Sequence, residues 1–74
     1  MRALELMEKA EPLKKKRCVI TTIYDSKYTG ILTNVVVNET TYAVVLILLM
    51  DNNISKKFYF NKVKNVELLN DVQS

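Results

Sequence analysis

The sequence contains no histidine, no tryptophan and a single cysteine, Cys18. Without histidine, neither a Ser-His nor a Cys-His catalytic pair can form. A structural zinc site needs four cysteine or histidine ligands, and the chain offers one. A lone cysteine cannot form an intramolecular disulfide, which favours a reducing cytoplasmic location over secretion. We therefore expect a non-catalytic binding protein with no cofactor and no metal.

Glycine and proline occur once each, and hydrophobic residues make up 49% of the 74 residues, a composition that predicts a folded chain. The length fits one small domain, whose thin core favours self-association. The residues before Pro12 are charged throughout, unlike a signal peptide. Uncharged runs such as residues 40–50 are far shorter than the ~20 residues that a membrane-spanning helix needs, so no membrane contact is expected.

Residues 2–11 carry apolar side chains at helical spacing, and Pro12 ends this helix because a proline excludes the preceding residue from the α region. The apolar stripe through Met7 either packs on the rest of the domain or faces a partner. Beyond the helix, turn signals separate apolar and β-branched segments. The sequence predicts five strands, at residues 17–24, 28–37, 41–50, 55–60 and 63–69. The third is continuously apolar, so both of its faces are predicted to be buried.

One helix followed by five antiparallel strands predicts a mostly β fold, in which the sheet curls into a small closed barrel of the SH3-like or Sm-like kind. A flat sheet would leave one face of the third strand exposed, whereas curling covers that face and reduces the free edges. The single domain is predicted to comprise an N-terminal helix at residues 1–12, a barrel at residues 17–69 and a polar tail at residues 70–74 that frays.

Two segments carry a family resemblance. Residues 28–35, YTGILTNV, follow the pattern apolar-x-Gly-x-Leu-x-x-apolar, and Gly30 suits a strand that bends sharply round a small barrel. Residues 58–66, FYFNKVKNV, place a very short turn between two apolar strands. With the order of helix and strands, these segments resemble Sm-like (LSm and Hfq-type) proteins and related SH3-like small barrels such as the YolD-like proteins. The resemblance covers nearly the whole chain in outline and is specific at a handful of positions.

The resemblance implies a ring of identical subunits, in which the fourth strand of one subunit pairs with the fifth strand of the next. The resemblance supports RNA binding less strongly than it supports the ring, because this chain departs from the family at the RNA-binding positions. Val36 and Thr40 stand where Sm-like RNA binders carry Asp and Asn, and Asn61-Lys62 stands in place of an Arg-Gly or Lys-His pair. The base-binding pocket of the family is therefore not carried over to this chain, and we expect a homo-oligomer with cyclic symmetry.

The strongest charge feature is the run KKKR at residues 14–17, here called the basic segment. Clustered cations contact nucleic-acid phosphates, but the same run also suits a solvated connector between helix and barrel. Tyr24, Tyr28, Tyr42 and Tyr59 offer rings for base stacking or serve as ordinary strand residues. The turn after the second strand is either a ligand loop or a plain turn. The predicted nucleic-acid-binding residues are Lys14, Lys15, Lys16, Arg17, Asn38, Thr40, Tyr42, Asn61 and Lys62.

Two functions follow from these features. The first is nucleic-acid binding, with RNA favoured over DNA, through the basic segment and the barrel loops. The alternative is a protein-interaction module, a small regulator or inhibitor that docks through its helix or an open sheet edge. The net charge of +3 is too modest to decide between them.

Overall fold

A computed structural model describes residues 2–41 and 43–69. The chain begins with the helix α1, Ala3–Ala10, and a short 3-10 helix at Glu11–Leu13. The strands of the described chain are β1 Arg17–Thr22, β2 Lys27–Asn38, β3 Ala43–Met50, β4 Ser55–Tyr59 and β5 Val63–Leu68, with a 3-10 turn at Phe60–Lys62 between the last two. The mostly β fold class with an N-terminal helix is confirmed. The predicted frayed tail at residues 70–74 lies outside the described residues.

Helix α1 ends at Ala10, where the 3-10 helix that contains Pro12 takes over. Leu6 and Ala10 lie on its inner face and are fully buried against the sheet. The predicted apolar stripe therefore packs on the domain, as an amphipathic helix too short to be stable alone must do. Within the described ranges, no helix is long and apolar enough to cross a membrane.

The strands form one antiparallel sheet in the order β4-β3-β2-β1-β5. The expected closure of the barrel is corrected: in the described chain no ladder joins β4 to β5, and the Phe60–Lys62 turn carries the chain from one sheet edge to the other. The sheet nevertheless curls strongly. The rings of Tyr28 on β2 and Phe58 on β4 lie 5.1 Å apart between centroids, although β3 separates these strands in the sheet.

Two features of β2 produce this curl. The β2–β3 ladder shifts register between Leu32 and Asn34, which leaves Thr33 as a bulge whose hydroxyl donates to the Ile47 carbonyl at 3.1 Å. At Gly30 the two backbones approach so closely that a Cβ would clash with the Leu49 carbonyl oxygen and lie 2.9 Å from its carbon. A residue without a Cβ is therefore required at position 30.

The core lies between α1 and the concave face of the sheet, and strand alternation decides which residues enter it. Cys18 and Ile20 of β1 are fully buried, as are Leu46 and Leu48 of β3. The outward residues of β3, among them Ile47, are only half-buried. The prediction that both faces of this strand would be buried is therefore right for the inner face only, because no second layer covers the outer face in the described structure.

Candidate nucleic-acid interface

A cleft of about 290 Å³ opens where the curled sheet fails to close, between the free edge of β4 and the turn that joins β1 to β2 (residues 23–26). The β1–β2 side is lined by Thr22, Tyr24, Ser26 and Tyr28. The opposite side is lined by Lys56, Lys57, Phe58, Tyr59 and Lys62. Four of these described lining residues are aromatic, three are lysines and none is acidic. We call this site the aromatic–lysine cleft.

Local hydrogen bonds hold the β1–β2 turn in shape. The Thr22 backbone N–H donates to the Ser26 carbonyl, and the Asp25 N–H donates to the Thr22 carbonyl, both at 2.9 Å. The Thr22 hydroxyl oxygen accepts the N–H groups of Tyr24 and Ser26, each at 3.3 Å. Asp25 has a φ of 63°, which Asp and Asn tolerate better than most residues. The fixed turn leaves the Tyr24 side chain 70% exposed at the mouth of the cleft.

Lysine ammonium groups lie beside the aromatic rings. Lys56 Nζ is 5.3 Å from the ring centroid of Tyr28 and 5.8 Å from that of Phe58. Lys62 Nζ is 5.7 Å from the Tyr24 ring and donates a hydrogen bond to its hydroxyl at 3.3 Å. These cation–π contacts keep positive charge next to flat apolar surface. The cleft thus presents both an anion-attracting group and a stacking face within one small space.

The charge around the cleft is strongly asymmetric. Residues 22–28 and 55–64 contain five lysines and one acid, Asp25. The Lys64 ammonium donates to the Asp25 carboxylate at 2.8 Å, and this hydrogen bond, with the lysine charge, holds the pKa of that carboxyl below its usual value. Since Lys64 offsets this one carboxylate, the remaining lysines create a positive potential that attracts anions.

The basic segment lies elsewhere. It runs into the start of β1 at Arg17, whereas the aromatic–lysine cleft lies at the other end of that strand, where Thr22 lines it. Lys14 Nζ lies 3.9 Å from Glu11, and the Arg17 guanidinium lies 3.4 Å from the Asp51 carboxylate. Part of the charge of the segment is therefore offset by nearby acids. Lys15 and Lys16 are exposed, which leaves them accessible to a phosphate.

The other predicted residues fall in two turns. The Asn38 side chain accepts the N–H groups of Thr40 and Thr41, at 2.9 and 3.2 Å, and so shapes the β2–β3 turn. Tyr42 lies outside the described residues. Asn61 and Lys62 form the β4–β5 turn, and the Lys62 carbonyl accepts the Ile23 N–H at 3.0 Å, which ties this turn to the β1–β2 turn. Of the predicted site residues that the structure describes, Lys62 alone lines the cleft.

On the β4 side of the cleft, the sequence predicts Tyr59 as a possible stacking residue and Lys62 as a binding residue but does not single out Lys56, Lys57 and Phe58. Lys56, Lys57 and Phe58 were interpreted as an ordinary strand, although residues 56–62, KKFYFNK, interleave lysines with aromatic residues and contain no acid. Such interleaving is a signal for single-strand nucleic-acid binding and could have identified this segment. Tyr24 and Tyr28 were recognised as possible stacking residues, but their meeting with β4 was not anticipated.

The structure also locates the cysteine. Cys18 is buried, and its thiol lies 3.3 Å from the Lys16 carbonyl. Burial raises the pKa of the Cys18 thiol, which disfavours the reactive thiolate. Among the residues that the structure describes, no group of three or more potential ligands could hold a metal ion.

The cleft and the basic segment thus offer stacking faces and cations at two positions along β1. Comparison with known proteins identifies no relative: no family model, no curated protein and no solved structure matches the chain.

Proposed function

We propose that this protein binds single-stranded nucleic acid, RNA in preference, in the aromatic–lysine cleft. The observation that carries the proposal is the placement of the exposed rings of Tyr24 and Tyr59 beside Lys56, Lys57 and Lys62. Proteins that bind single strands combine these two elements: cations that follow the phosphate backbone and aromatic rings on which unstacked bases lie.

Single strands suit this site better than a duplex. In a duplex the bases are already stacked on one another, so the rings of Tyr24 and Tyr59 would have no base face to contact. The preference for RNA over DNA rests on the resemblance to Sm-like proteins. The basic segment extends the proposed path, because the extended chain from Lys16 to Thr22, at the cleft, spans about 20 Å at ~3.3 Å per residue. One strand of several nucleotides could contact both.

The decisive experiment is fluorescence anisotropy with labelled single-stranded RNA, single-stranded DNA and duplex RNA of one length. Replacing Tyr24 with Ala should weaken single-strand binding about fivefold or more, because one stacked base is worth ~1–3 kcal/mol. Tyr24→Phe is the matched control: it keeps the ring and should keep most of the affinity. Lys56→Ala should also weaken binding, whereas Lys9→Ala, on a helix residue bound to Asn65, should not.

Two results would contradict the proposal. One is an absence of single-strand binding at low salt, where attraction to phosphates is strongest. The other is equal affinity for inorganic polyphosphate together with no effect of Tyr24→Ala, which would identify a general polyanion surface without stacking. Equal binding of RNA and DNA would remove only the preference for RNA.

We also propose that the chain forms a cyclic homo-oligomer in a reducing, cytoplasmic compartment and is related to the Sm-like or SH3-like small barrels. Supporting the assembly, β4 and β5 each pair with one neighbour in the described sheet, which leaves an edge for another subunit. The half-buried outward residues of β3 supply further apolar surface. The single buried cysteine supports the compartment.

A further inference from the structure

The far end of β2 has no strand partner on the side that faces β1. In the described structure the β1–β2 ladder reaches no further than Ile31, and the backbone hydrogen bonds of Lys15 and Lys16 then end at Leu32. β2 continues beyond this point and pairs there with β3 alone. We call residues 33–38, TNVVVN, the open edge.

The main-chain groups of Val35 and Val37 face away from β3 at the open edge. The Val35 N–H donates to the side-chain oxygen of its neighbour Asn34 at 2.9 Å and is therefore not directed into the β2–β3 ladder. Along an antiparallel strand the N–H and C=O groups of alternate residues point to the same side, so those of Val37 share this direction. The open edge thus offers donors and acceptors at two valines to another strand.

The open edge lacks the features that usually prevent strand pairing. Exposed edges are commonly protected by charged residues or proline, and residues 33–38 contain neither. Val36 is 41% exposed and Val37 is 37% exposed. Val37 also lines an apolar cavity of about 280 Å³ between the β2–β3 hairpin and α1. An added strand would cover apolar surface as well as satisfy the backbone.

The sequence of the open edge suits a second copy of itself. Residues 34–38, NVVVN, read the same in both directions. Antiparallel pairing about a two-fold axis at Val36 sets Val35 of one copy opposite Val37 of the other, and their outward main-chain groups then form a hydrogen-bonded pair. Each valine meets a valine, and no charged residue opposes another within this segment.

The same register brings opposite charges together at each end of the pairing. It sets Glu39 of one copy, at the exposed tip of its hairpin, opposite Thr33 of the other. Thr33 follows Leu32, to which the exposed residues Lys15 and Lys16 of that copy are hydrogen-bonded. Each copy therefore brings an acidic residue to the basic segment of the other, which favours a second copy over an unrelated strand.

We propose that two copies of the chain associate through the open edge of β2, in an antiparallel, two-fold symmetric pairing centred on Val36. This interface uses neither the β4 edge nor the β5 edge. It therefore depends neither on the ring proposed above nor on nucleic-acid binding.

Disulfide cross-linking tests the register of this pairing. Opposed residues of a non-hydrogen-bonded antiparallel pair have Cα atoms ~4.5 Å apart, within the range that a disulfide spans. Val36→Cys should therefore give a covalent dimer on mild oxidation with diamide, seen on a non-reducing denaturing gel.

The matched control for cross-linking is Ile31→Cys, on the same strand and similarly exposed. In the proposed register the two copies of residue 31 lie about 33 Å apart at ~3.3 Å per residue, so this variant should give little covalent dimer. The unmodified chain should give little as well, because its own Cys18 is buried.

Analytical ultracentrifugation tests the energetics. Val36→Lys sets two like charges opposite each other at the axis and should raise the dissociation constant of the dimer about tenfold or more. Ile54→Lys adds the same charge to an exposed residue between β3 and β4 and should leave the constant unchanged. Glu39→Lys should raise it about threefold, and the further changes Lys15→Glu and Lys16→Glu in the same chain should restore association.

Three results would overturn the proposal. Equal cross-linking of Val36→Cys and Ile31→Cys would indicate random collision. A chain that stays monomeric at high concentration would show that the open edge does not pair. An oligomer whose mass Val36→Lys leaves unchanged would be held together by another surface, such as the β4 and β5 edges. If Val36→Lys lowers the melting temperature, cross-linking of Val36→Cys, which makes the smaller change, decides.

Discussion

At the scale of single residues, Gly30 and Asp25 carry most of the information about how the site is built. Gly30 lets the β2 and β3 backbones approach where the sheet curls, and this curl brings Tyr28 over Phe58. Asp25 occupies the left-handed position of the turn that presents Tyr24, and it places a carboxylate beside the lysines. One residue thus shapes the cleft and the other moderates its charge.

Substitution at Gly30 should destabilise the fold. Gly30→Ala adds a Cβ that clashes with the Leu49 carbonyl, so we expect a loss of at least about 2 kcal/mol in the free energy of unfolding, and a larger loss for Gly30→Val. Denaturant unfolding followed by circular dichroism measures this. The control Ile31→Val changes an exposed neighbouring residue and should alter the free energy of unfolding by no more than about 0.5 kcal/mol. An unchanged midpoint for Gly30→Ala would mean that the strands do not approach closely at this position.

Removing the Asp25 carboxylate should strengthen nucleic-acid binding. Asn adopts positive φ readily, so Asp25→Asn keeps the turn while it frees Lys64 from its ion pair. We expect an affinity for single-stranded RNA about two- to threefold higher at low salt, with the gain shrinking at high salt because exposed charges are screened. Glu67→Gln, a charge change on β5, provides the comparison. Equal gains for both variants would indicate a general effect of net charge.

Acid should lower the melting temperature of the unmodified chain more than that of the Asp25→Asn variant. The Lys64 hydrogen bond lowers the pKa of Asp25 in the folded chain below the ordinary value of 3.8. A lowered carboxyl pKa contributes stability that is present above the unfolded-state value and is lost as the pH falls through the folded-state value. Thermal unfolding between pH 7 and pH 2 should therefore show a smaller acid-induced drop in melting temperature for Asp25→Asn than for the unmodified chain. Parallel curves would contradict the ion pair in solution.

At the scale of elements, β4 contributes more to the proposed site than the basic segment. Residues 56–59 line the cleft directly, whereas the basic segment lies at the opposite end of β1, and its charge is partly offset by Glu11 and Asp51. The contribution of the β4 lysines to affinity should therefore not depend on ligand length, whereas that of the basic segment should appear only with longer ligands.

Salt dependence separates these two groups of cations. Each phosphate contact on a single strand contributes about 0.7 to the slope of log affinity against log salt, so the double variant Lys56→Ala, Lys57→Ala should lower the slope by about 1.4. The double variant Lys15→Ala, Lys16→Ala should lower the magnitude of this slope by more than one unit with RNA of about 12 nucleotides. With RNA of about 4 nucleotides it should hardly change the slope. Both lengths lie within the ~4–16 nucleotides that a small single-strand-binding domain covers. Loss in all RNA sequences should be equal, because phosphate contacts carry no sequence information. No change for Lys15→Ala, Lys16→Ala at either length would identify the basic segment as a solvated connector.

At the scale of the whole molecule, the surface is divided. Lysines and aromatic rings surround the gap between β4 and the β1–β2 turn, while apolar residues alone line the cavity between α1 and the β2–β3 hairpin.

Self-association should be detectable by mass. With an edge open on both β4 and β5 of the described sheet, we expect a closed oligomer between a dimer and a heptamer in size-exclusion chromatography with light scattering. Ile47→Lys places a charge in the half-buried outward row of β3 and should reduce the mass if that face contributes. A strict monomer at high concentration would contradict the assembly and leave the nucleic-acid proposal standing.

The sequence by itself determined the elements of this protein. Apolar and β-branched segments separated by turn signals identified the strands, and the apolar spacing before Pro12 identified the helix. The burial of Cys18 and the need for glycine at position 30 were also predictable, because each depends on the strand in which the residue lies. Such patterns act over a few residues, and the backbone periods of helix and strand make them readable.

Only the tertiary structure decided where these elements meet. The bulge at Thr33 and the close approach at Gly30 set how far the sheet curls, and the curl brings Tyr24 and Tyr28 to a segment of β4 some thirty residues away in sequence. The same long-range packing places Asp51 beside Arg17 and leaves an apolar cavity between α1 and the β2–β3 hairpin. These contacts depend on the accumulated twist and curvature of several paired strands, which no local sequence pattern specifies.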